Sequence, residues 1–277
     1  TSDQYRRIRN TFRFILGNLN DFNSKDRVNY EKQIELDKWI IDEVINLEKK
    51  VINSYETYSY HKAVQSIHNF CVNELGGIYL DIVKDRLYTC KNNSLARRSC
   101  QTSLDFLLNK LIKLIAPILS YTSEEIWQLC PSLLEQEESV FLSNFSDNNE
   151  ETSMKIDSSE WKRIFEIKDI VNQSIEQMRN DNALKGSLDA IVNIEANVED
   201  FKILEKLGEE LHFLFISSEA SITQGKELKI NITSSKNQKC SRCWHRDTTV
   251  GNIENHPEIC GRCIENIEKD GEQRSFV

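Results

Sequence analysis

Proline and glycine are scarce in this chain, which has three prolines and nine glycines among its 277 residues. Both residues disfavour helix interiors, so their scarcity favours a fold built mostly from helices. Long apolar runs are missing too, because Asn109, Lys110 and Lys113 interrupt the most apolar stretch, residues 107–119. A membrane helix needs about 20 mostly apolar residues. This stretch therefore predicts a buried core helix, and we expect no membrane partner.

The first residues, TSDQYRRIRN, lack a starting methionine and an apolar signal segment. They predict a piece of a longer protein that acts in the cytoplasm. Positive charge is also in deficit, since 35 Lys and Arg oppose 44 Asp and Glu, for a net charge of −9. Such a balance argues against generic nucleic-acid binding, although local basic patches can still steer a partner.

Two basic patches are present. Arg6, Arg9 and Arg13 fall at i, i+3 and i+7 of a helix predicted over residues 5–20, so they share one ridge. The ridge is either a phosphate-binding surface or an ordinary solvated face. A second basic stretch surrounds residues 91–93 and contains Lys84, Arg86, Lys91, Arg97 and Arg98.

Apolar residues recur at helical spacing through the first 135 residues. They predict helices over residues 5–20, 31–58, 60–86 and 94–116, and Thr122 to Glu125 has the pattern of a capping box that opens a short helix. Gly76 and Gly77 either weaken the third helix or let another backbone approach closely. We expect these helices to form an antiparallel bundle.

The second half of the chain has a different pattern. Residues 135–159 are acidic and weakly periodic, which indicates a linker or a surface excursion. A helix containing Trp161 follows, then a short helical run at residues 201–207. The strand candidates are LDAIVNIEA (188–196), LHFLFIS (211–217) and LKINIT (228–233). The predicted domains are a helical bundle (1–155), a small α+β unit (156–235) and a C-terminal module (236–277).

Eight cysteines fall into two groups. Four occur singly in helical segments and predict reduced, buried thiols: Cys71, Cys90, Cys100 and Cys130. The other four form two Cys-x-x-Cys pairs with sixteen residues between them: Cys240, Cys243, Cys260 and Cys263. This spacing suits one tetrahedral Zn²⁺, with disulfides as the alternative. Four thiolates leave no open position, so the zinc is predicted to be structural and no catalytic residue is expected.

Arg242 lies inside the first cysteine pair and Trp244 directly after it. An exposed tryptophan beside an arginine suits the stacking of an unpaired base. Alternatively, Trp244 packs against the knuckle as a small core. Two functions therefore stay open: a nucleic-acid reader, and a zinc-ribbon adaptor that binds a protein on a helical scaffold.

The cysteine tail resembles the C-terminal zinc-binding segment of bacterial isoleucyl-tRNA synthetases. The resemblance rests on residues 240–245, on residues 256–263 and on the Asp-Gly-Glu-x-Arg pattern at 270–274. Four segments of the helical part also resemble the anticodon-binding region of that family: YRRIRN at 5–10, LNDF at 19–22, LDKW at 36–39 and APILSYTSEEIW at 116–127. The last segment is shared with the valine, leucine and methionine enzymes, whereas the zinc tail points to isoleucine.

The resemblance implies a role in protein biosynthesis. The family joins isoleucine to its tRNA with ATP, but its His-x-Gly-His and Lys-Met-Ser-Lys-Ser motifs do not occur here, and neither does a Gly-rich phosphate loop. The chain is thus expected to be a ligase fragment, inactive alone, that recognises the anticodon stem-loop of isoleucine tRNA. ATP would serve only the missing catalytic domain. Implied partners are that tRNA and the rest of a monomeric synthetase. The implied tRNA contacts are Arg242, Trp244, Arg6, Arg9 and Arg13.

Overall fold

The computed structural model describes residues 2–130, 137–145 and 153–277. Within these ranges the chain is mainly helical, with a small three-stranded sheet and a four-cysteine cluster near the C-terminus, as predicted. It divides into two compact units. The first comprises Thr1–Val83 and Arg97–Ser153, and the second comprises Lys84–Ala96 and Met154–Val277.

Six α-helices lie within the described residues 2–130. They are α1 (Ser2–Asn18), α2 (Glu35–Glu56), α3 (Tyr60–Phe70), α4 (Leu80–Thr89), α5 (Leu95–Ile115) and α6 (Ser120–Gln128). The helix α3 packs against both α1 and α2, and apolar side chains such as Phe12, Ile15 and Ile40 are fully buried. The apolar periodicity of the sequence therefore becomes the core of a helical bundle.

A π-helix, Cys71–Tyr79, joins α3 to α4 and contains both glycines of the Gly-Gly pair. A Cβ atom at Gly76 would lie 2.8 Å from the carbonyl oxygen of Cys71, which is closer than real Cβ contacts. The approaching group belongs to the same helix, so this contact is not the approach of another backbone that the sequence analysis allowed for. Any side chain at this position would force the widened turn to shift.

Polar side chains join α2 to α5 inside the bundle. The ammonium of Lys110 donates to Glu48 Oε2 at 2.6 Å, and both side chains are buried. The carboxylate of Asp37 accepts hydrogen bonds from Tyr79 and Ser99. Buried charges are tolerated only where such partners exist, and these contacts supply them between α2, α5 and Tyr79.

The second unit contains the sheet and four further helices. The helices are α7 (Ser158–Asn180), α8 (Val198–Glu205), α9 (Leu211–Leu214) and α10 (Gly261–Glu268), and the strands are β1 (Ala190–Ala196), β2 (Glu219–Gln224) and β3 (Lys229–Ser234). The strand order is β2-β1-β3, with β1 parallel to β2 and antiparallel to β3. Alternate residues of β1 are buried, so its inner face supplies apolar packing.

Two of the three predicted strands are confirmed, as β1 and β3, and the helical run near residues 201–207 appears as α8. The strand predicted at residues 211–217 is wrong, because this segment forms α9 and a turn. Leu211, Phe213 and Leu214 are all buried, and a short apolar run of this kind does not distinguish a buried helix from a strand. The turn closes at Ile216, whose φ is +52°.

The capping box predicted at Thr122 to Glu125 is also wrong. The helix α6 begins earlier, at Ser120, and its N-cap residue is Leu119, which makes no side-chain capping bond. Thr122 lies inside the helix, where its hydroxyl is hydrogen-bonded to that of Tyr5 at 3.2 Å. Pro117 follows the end of α5, and α6 then begins at Ser120, two residues before the Thr122 that suggested the cap.

Part of the predicted linker at 135–159 lies outside the described residues, namely 135, 136 and 146–152. The described part contains a 3₁₀ turn at Val140–Leu142 and the start of α7, where Asp157 and Glu160 form a capping box. The three-domain division stays a prediction. Across the described ranges, no helix has the length and apolar character needed to cross a membrane.

Candidate metal centre and nucleic-acid interface

The four paired cysteines converge. Their sulfur atoms all lie within 4.8 Å of one another, and all four residues are buried. The Sγ–Sγ distance is 3.7 Å both for Cys240 with Cys263 and for Cys243 with Cys260. A tetrahedral zinc with bonds of about 2.3 Å to sulfur requires sulfurs about 3.8 Å apart. The donor set therefore fits Zn²⁺, and the sulfurs are too far apart for a disulfide of about 2.0 Å.

Local backbone geometry aims the sulfurs inward. In the first pair, Cys240 N–H donates to His245 O at 2.9 Å and Trp244 N–H donates to Cys240 O at 3.0 Å, which closes a tight knuckle. In the second pair, Cys260 is the N-cap of α10, and its N–H donates to Cys240 Sγ at 3.3 Å. Val250 packs with the four cysteines as the small core of this module.

The cluster also favours ionisation of a thiol. Hydrogen bonds from Cys260 and Cys263 hold the pKa of Cys243 well below its usual range, and the positive charge of Arg262 acts in the same direction. The bond with Cys243 raises the pKa of Cys263 to about 12. A thiolate is the form that binds metal, so these contacts favour the metal-binding form of Cys243.

Trp244 has an exposed ring. Its side chain is 60% exposed, its φ is +67°, and the ammonium of Lys239 lies 5.2 Å from the ring centroid. A positive φ is uncommon for a bulky residue, so the knuckle holds the tryptophan in a fixed, unfavourable conformation. The ring therefore does not form the core of the knuckle, and one of its faces is available beyond the Lys239 contact.

Arg242 is half-buried. Its Nη1 donates to the carbonyl oxygen of Thr89 at 2.7 Å and to Cys263 Sγ at 3.6 Å. The predicted pair of RNA contacts thus occupies two different environments. Trp244 faces solvent, whereas Arg242 is engaged with the end of α4 and with the cysteine cluster.

The three arginines of the predicted ridge lie on α1 in the first unit, and all are exposed. Among the described residues, no side chain forms an ion pair or hydrogen bond with Arg6, Arg9 or Arg13. Their neighbour Arg7 is instead paired with Asp3 at 2.8 Å. The ridge is therefore free to contact an anion.

The second basic stretch is less accessible than its sequence suggests. Arg86 is 1% exposed and donates to the carbonyl of Ala96 at 3.1 Å. Arg97 forms a two-pronged ion pair with Asp21, at 2.6 and 3.0 Å. These guanidinium groups support the fold, so the sequence alone overstates the positive surface.

A buried ion network escaped the sequence analysis. Arg262 bonds Asp85 through both terminal nitrogens, at 2.7 and 2.8 Å, and Arg274 bonds the same carboxylate at 2.8 Å. Glu272 accepts from both arginines, and the ring of Phe213 lies against Arg274. Burial alone would raise the pKa of Asp85, but the two guanidinium groups outweigh it and hold that pKa well below its usual range. The Asp-Gly-Glu-x-Arg pattern at 270–274 contains two members of this network, Glu272 and Arg274, and is the only sequence feature that pointed toward it.

Two family models match the chain. One, described as the anticodon-binding domain of tRNA ligase, matches residues 37–194. The other, described as a zinc finger found in FPG and IleRS, matches residues 237–266 and so includes all four clustered cysteines. The first match covers most of the helical bundle and continues through α7 into β1, and the second covers the cysteine tail.

Curated relatives extend this similarity to the whole chain. The isoleucine–tRNA ligases of Idiomarina loihiensis and Ectopseudomonas mendocina are each 42% identical over 292 residues, which covers 100% of this chain and 31% of each relative. The isoleucine–tRNA ligase of Histophilus somni is 42% identical over 288 residues, covering 99% of this chain and 31% of the relative. The chain thus spans about a third of the length of these relatives.

Proposed function

The chain belongs to the family of anticodon-binding domains of tRNA ligases, and we propose that it is the tRNA-binding part of an isoleucine–tRNA ligase. In this role it grips the anticodon stem-loop of isoleucine tRNA. A catalytic part, which this chain does not include, uses ATP to join isoleucine to the bound tRNA. All three relatives described above are isoleucine–tRNA ligases, which supports the choice of isoleucine.

The exposed ring of Trp244 is the observation that carries this proposal. Anticodon bases are unpaired and can be splayed onto aromatic faces. The knuckle holds the indole of Trp244 where an unpaired base can stack on it. The ammonium of Lys239, which lies beside the ring, can attract the phosphate of the same nucleotide. A zinc-ribbon adaptor for a protein partner would not need this combination.

One structural zinc completes the proposal. Cys240, Cys243, Cys260 and Cys263 would hold it, and the metal would supply the cross-link that a small module lacking a large core needs. The residues themselves do the positioning. The left-handed backbone at Trp244 turns its ring outward, and the bond from Cys240 N–H to His245 O closes the loop around it.

The arginine ridge of α1 would contact the phosphates of the same tRNA. Arg6, Arg9 and Arg13 are exposed, and within the described ranges none of them forms an ion pair, so a phosphate would not have to break one. Arg242 can contact RNA only through guanidinium nitrogens other than Nη1, which is engaged within the protein. We expect the synthetase to act as a monomer in the cytoplasm.

The substitution Trp244→Ala tests this function. We expect it to weaken binding of isoleucine tRNA by about 1–3 kcal/mol, the value of one stacked base, while zinc content stays unchanged. Tyr121→Ala is the matched control, because it removes a side chain that is 95% exposed but lies on α6. Fluorescence anisotropy measures the affinity, and metal analysis measures the zinc.

Equal affinity of the wild-type chain and Trp244→Ala would remove the stacking role. A zinc-loaded chain that binds a specific protein and has no measurable affinity for tRNA would favour the adaptor instead.

A further inference from the structure

Arg242 joins two elements that are far apart in sequence. Its Nη1 lies 2.7 Å from the carbonyl oxygen of Thr89, 153 positions earlier, and 3.6 Å from Cys263 Sγ. The same side chain therefore contacts the last residue of α4 and a residue of the cysteine cluster. Both contacts lie inside the second compact unit.

The first contact caps a helix. Thr89 is the last residue of α4, and the last four carbonyl oxygens of a helix have no partner within it. A guanidinium donates to such a carbonyl and also meets the negative end of the helix dipole. The hydroxyl of Thr89 donates back to Asp85 O at 2.8 Å, which keeps this final turn closed.

The second contact is a hydrogen bond from Arg242 to the sulfur of Cys263, one of the four proposed metal ligands. Four thiolates outweigh the two positive charges of Zn²⁺, so a closed site of this type is anionic and needs N–H donors at its sulfurs. The backbone N–H of Cys260 donates to Cys240 Sγ at 3.3 Å, and the guanidinium of Arg242 donates to Cys263 Sγ. The arginine also brings a positive charge close to the cluster.

The neighbouring cations have other partners. Arg262 gives both terminal nitrogens to Asp85, and Lys239 lies over the ring of Trp244. Neither is placed to donate to Cys263 as Arg242 does. Loss of Arg242 would therefore leave the sulfur without its side-chain donor and the Thr89 carbonyl without its cap.

We propose that Arg242 is a positioning residue, which fastens the zinc knuckle to the end of α4 and supports the ligand Cys263. It then acts on tRNA through Trp244, two residues along the knuckle, instead of touching the RNA itself. This inference rests on the zinc binding proposed above, and it gives Arg242 a role different from the RNA contact expected from its sequence motif.

Zinc affinity is the first test. In the 277-residue chain, Arg242→Gln should bind zinc about 10–100-fold more weakly than wild type, measured by competition with a chromophoric chelator. Arg242→Lys should recover only part of the loss, because one ammonium lacks the fork geometry of a guanidinium. Lys239→Gln is the matched control, which removes a nearby charge without touching a sulfur, and it should bind zinc as wild type does.

A cobalt spectrum gives a second readout that does not depend on affinity. The thiolate-to-cobalt absorption band should shift in Arg242→Lys and Arg242→Gln but not in Lys239→Gln, because only Arg242 donates to a ligand sulfur. Should Arg242→Gln fail to fold, Arg242→Lys still carries this comparison. At saturating zinc, folded Arg242 variants should regain most of their tRNA affinity.

Three outcomes would overturn the proposal. The first is wild-type zinc affinity and an unshifted cobalt band in a variant that has lost tRNA affinity, which would make Arg242 an RNA contact. The second is an equal loss of zinc in Lys239→Gln, which would indicate a general charge effect. The third is a wild-type chain that takes up no zinc, which would contradict both this role of Arg242 and the proposed zinc site. A zinc-loaded chain that does not bind tRNA would instead contradict only the proposed function.

Discussion

Side chains of the same type are buried at some positions of this molecule and exposed at others. Three tryptophans, Trp39, Trp127 and Trp161, are buried, whereas the fourth, Trp244, presents its ring to solvent. Arginines differ in the same way, because Arg274 is buried against Asp85 while Arg6 lies on an exposed helix face. The exposed members of each set are the ones available to a partner, since a buried charge or ring is already committed to the fold.

The buried pair of Lys110 and Glu48 gives a prediction at the residue scale. Lys110→Met should lower the free energy of unfolding by about 3–5 kcal/mol, because it leaves the Glu48 carboxylate buried without its cation. Urea unfolding followed by circular dichroism measures the change.

The double variant Glu48→Leu with Lys110→Met is the control for that pair. It should regain most of the stability, since an apolar pair of similar volume removes the need for charge compensation. If the single substitution has no effect, the pair is solvated and the packing of α2 against α5 does not depend on it.

Elements were predicted well where the apolar pattern is long. The helix predicted at 31–58 appears as Glu35–Glu56, and the one at 94–116 appears as Leu95–Ile115. In such long segments many apolar positions repeat at helical spacing, so the assignment does not depend on any single residue. The short segment 211–217 was misread, since seven apolar-rich residues fit either structure. The cysteine cluster was predictable because its ligands come in pairs of fixed spacing.

Non-local contacts were beyond sequence reasoning. Arg262 and Asp85 are 177 positions apart, and neither residue type nor spacing links them. The same holds for Arg242, whose motif suggested RNA and whose guanidinium instead meets the end of α4. A single sequence shows which side chains could carry charge, whereas the fold decides which charges meet.

The Asp85 network gives a pH prediction at the element scale. Its folded pKa lies below the value of about 3.9 found in unfolded chains, so the carboxylate contributes stability that is complete above that pH and is lost as pH falls through the folded pKa. Wild type should therefore exceed Asp85→Asn in stability near neutral pH, and the difference should shrink below a pH of about 4.

Urea unfolding of both proteins across this range measures the difference, and any effect of acid on the cysteines is common to the two. A difference that stays constant from neutral to acidic pH would mean that Asp85 does not titrate as a paired carboxylate.

The whole molecule combines a helical bundle that carries its own core with a tail whose four clustered cysteines are placed to hold a metal. Cys260→Ser should release zinc and unfold mainly residues 236–277. Far-UV circular dichroism should change little, because the only helix in that tail is α10, with eight residues. Cys130→Ser, at a lone buried thiol, is the control that should keep its zinc. A loss of helicity across the entire chain would contradict this modular arrangement.

The most direct measurement is fluorescence-anisotropy binding of the zinc-loaded chain to isoleucine tRNA and to the same tRNA with its anticodon exchanged. We predict tighter binding to the native anticodon, weakening as salt rises and lost when zinc is removed by a chelator. Equal affinity for the two tRNAs would contradict an anticodon-reading role for the knuckle that carries Trp244.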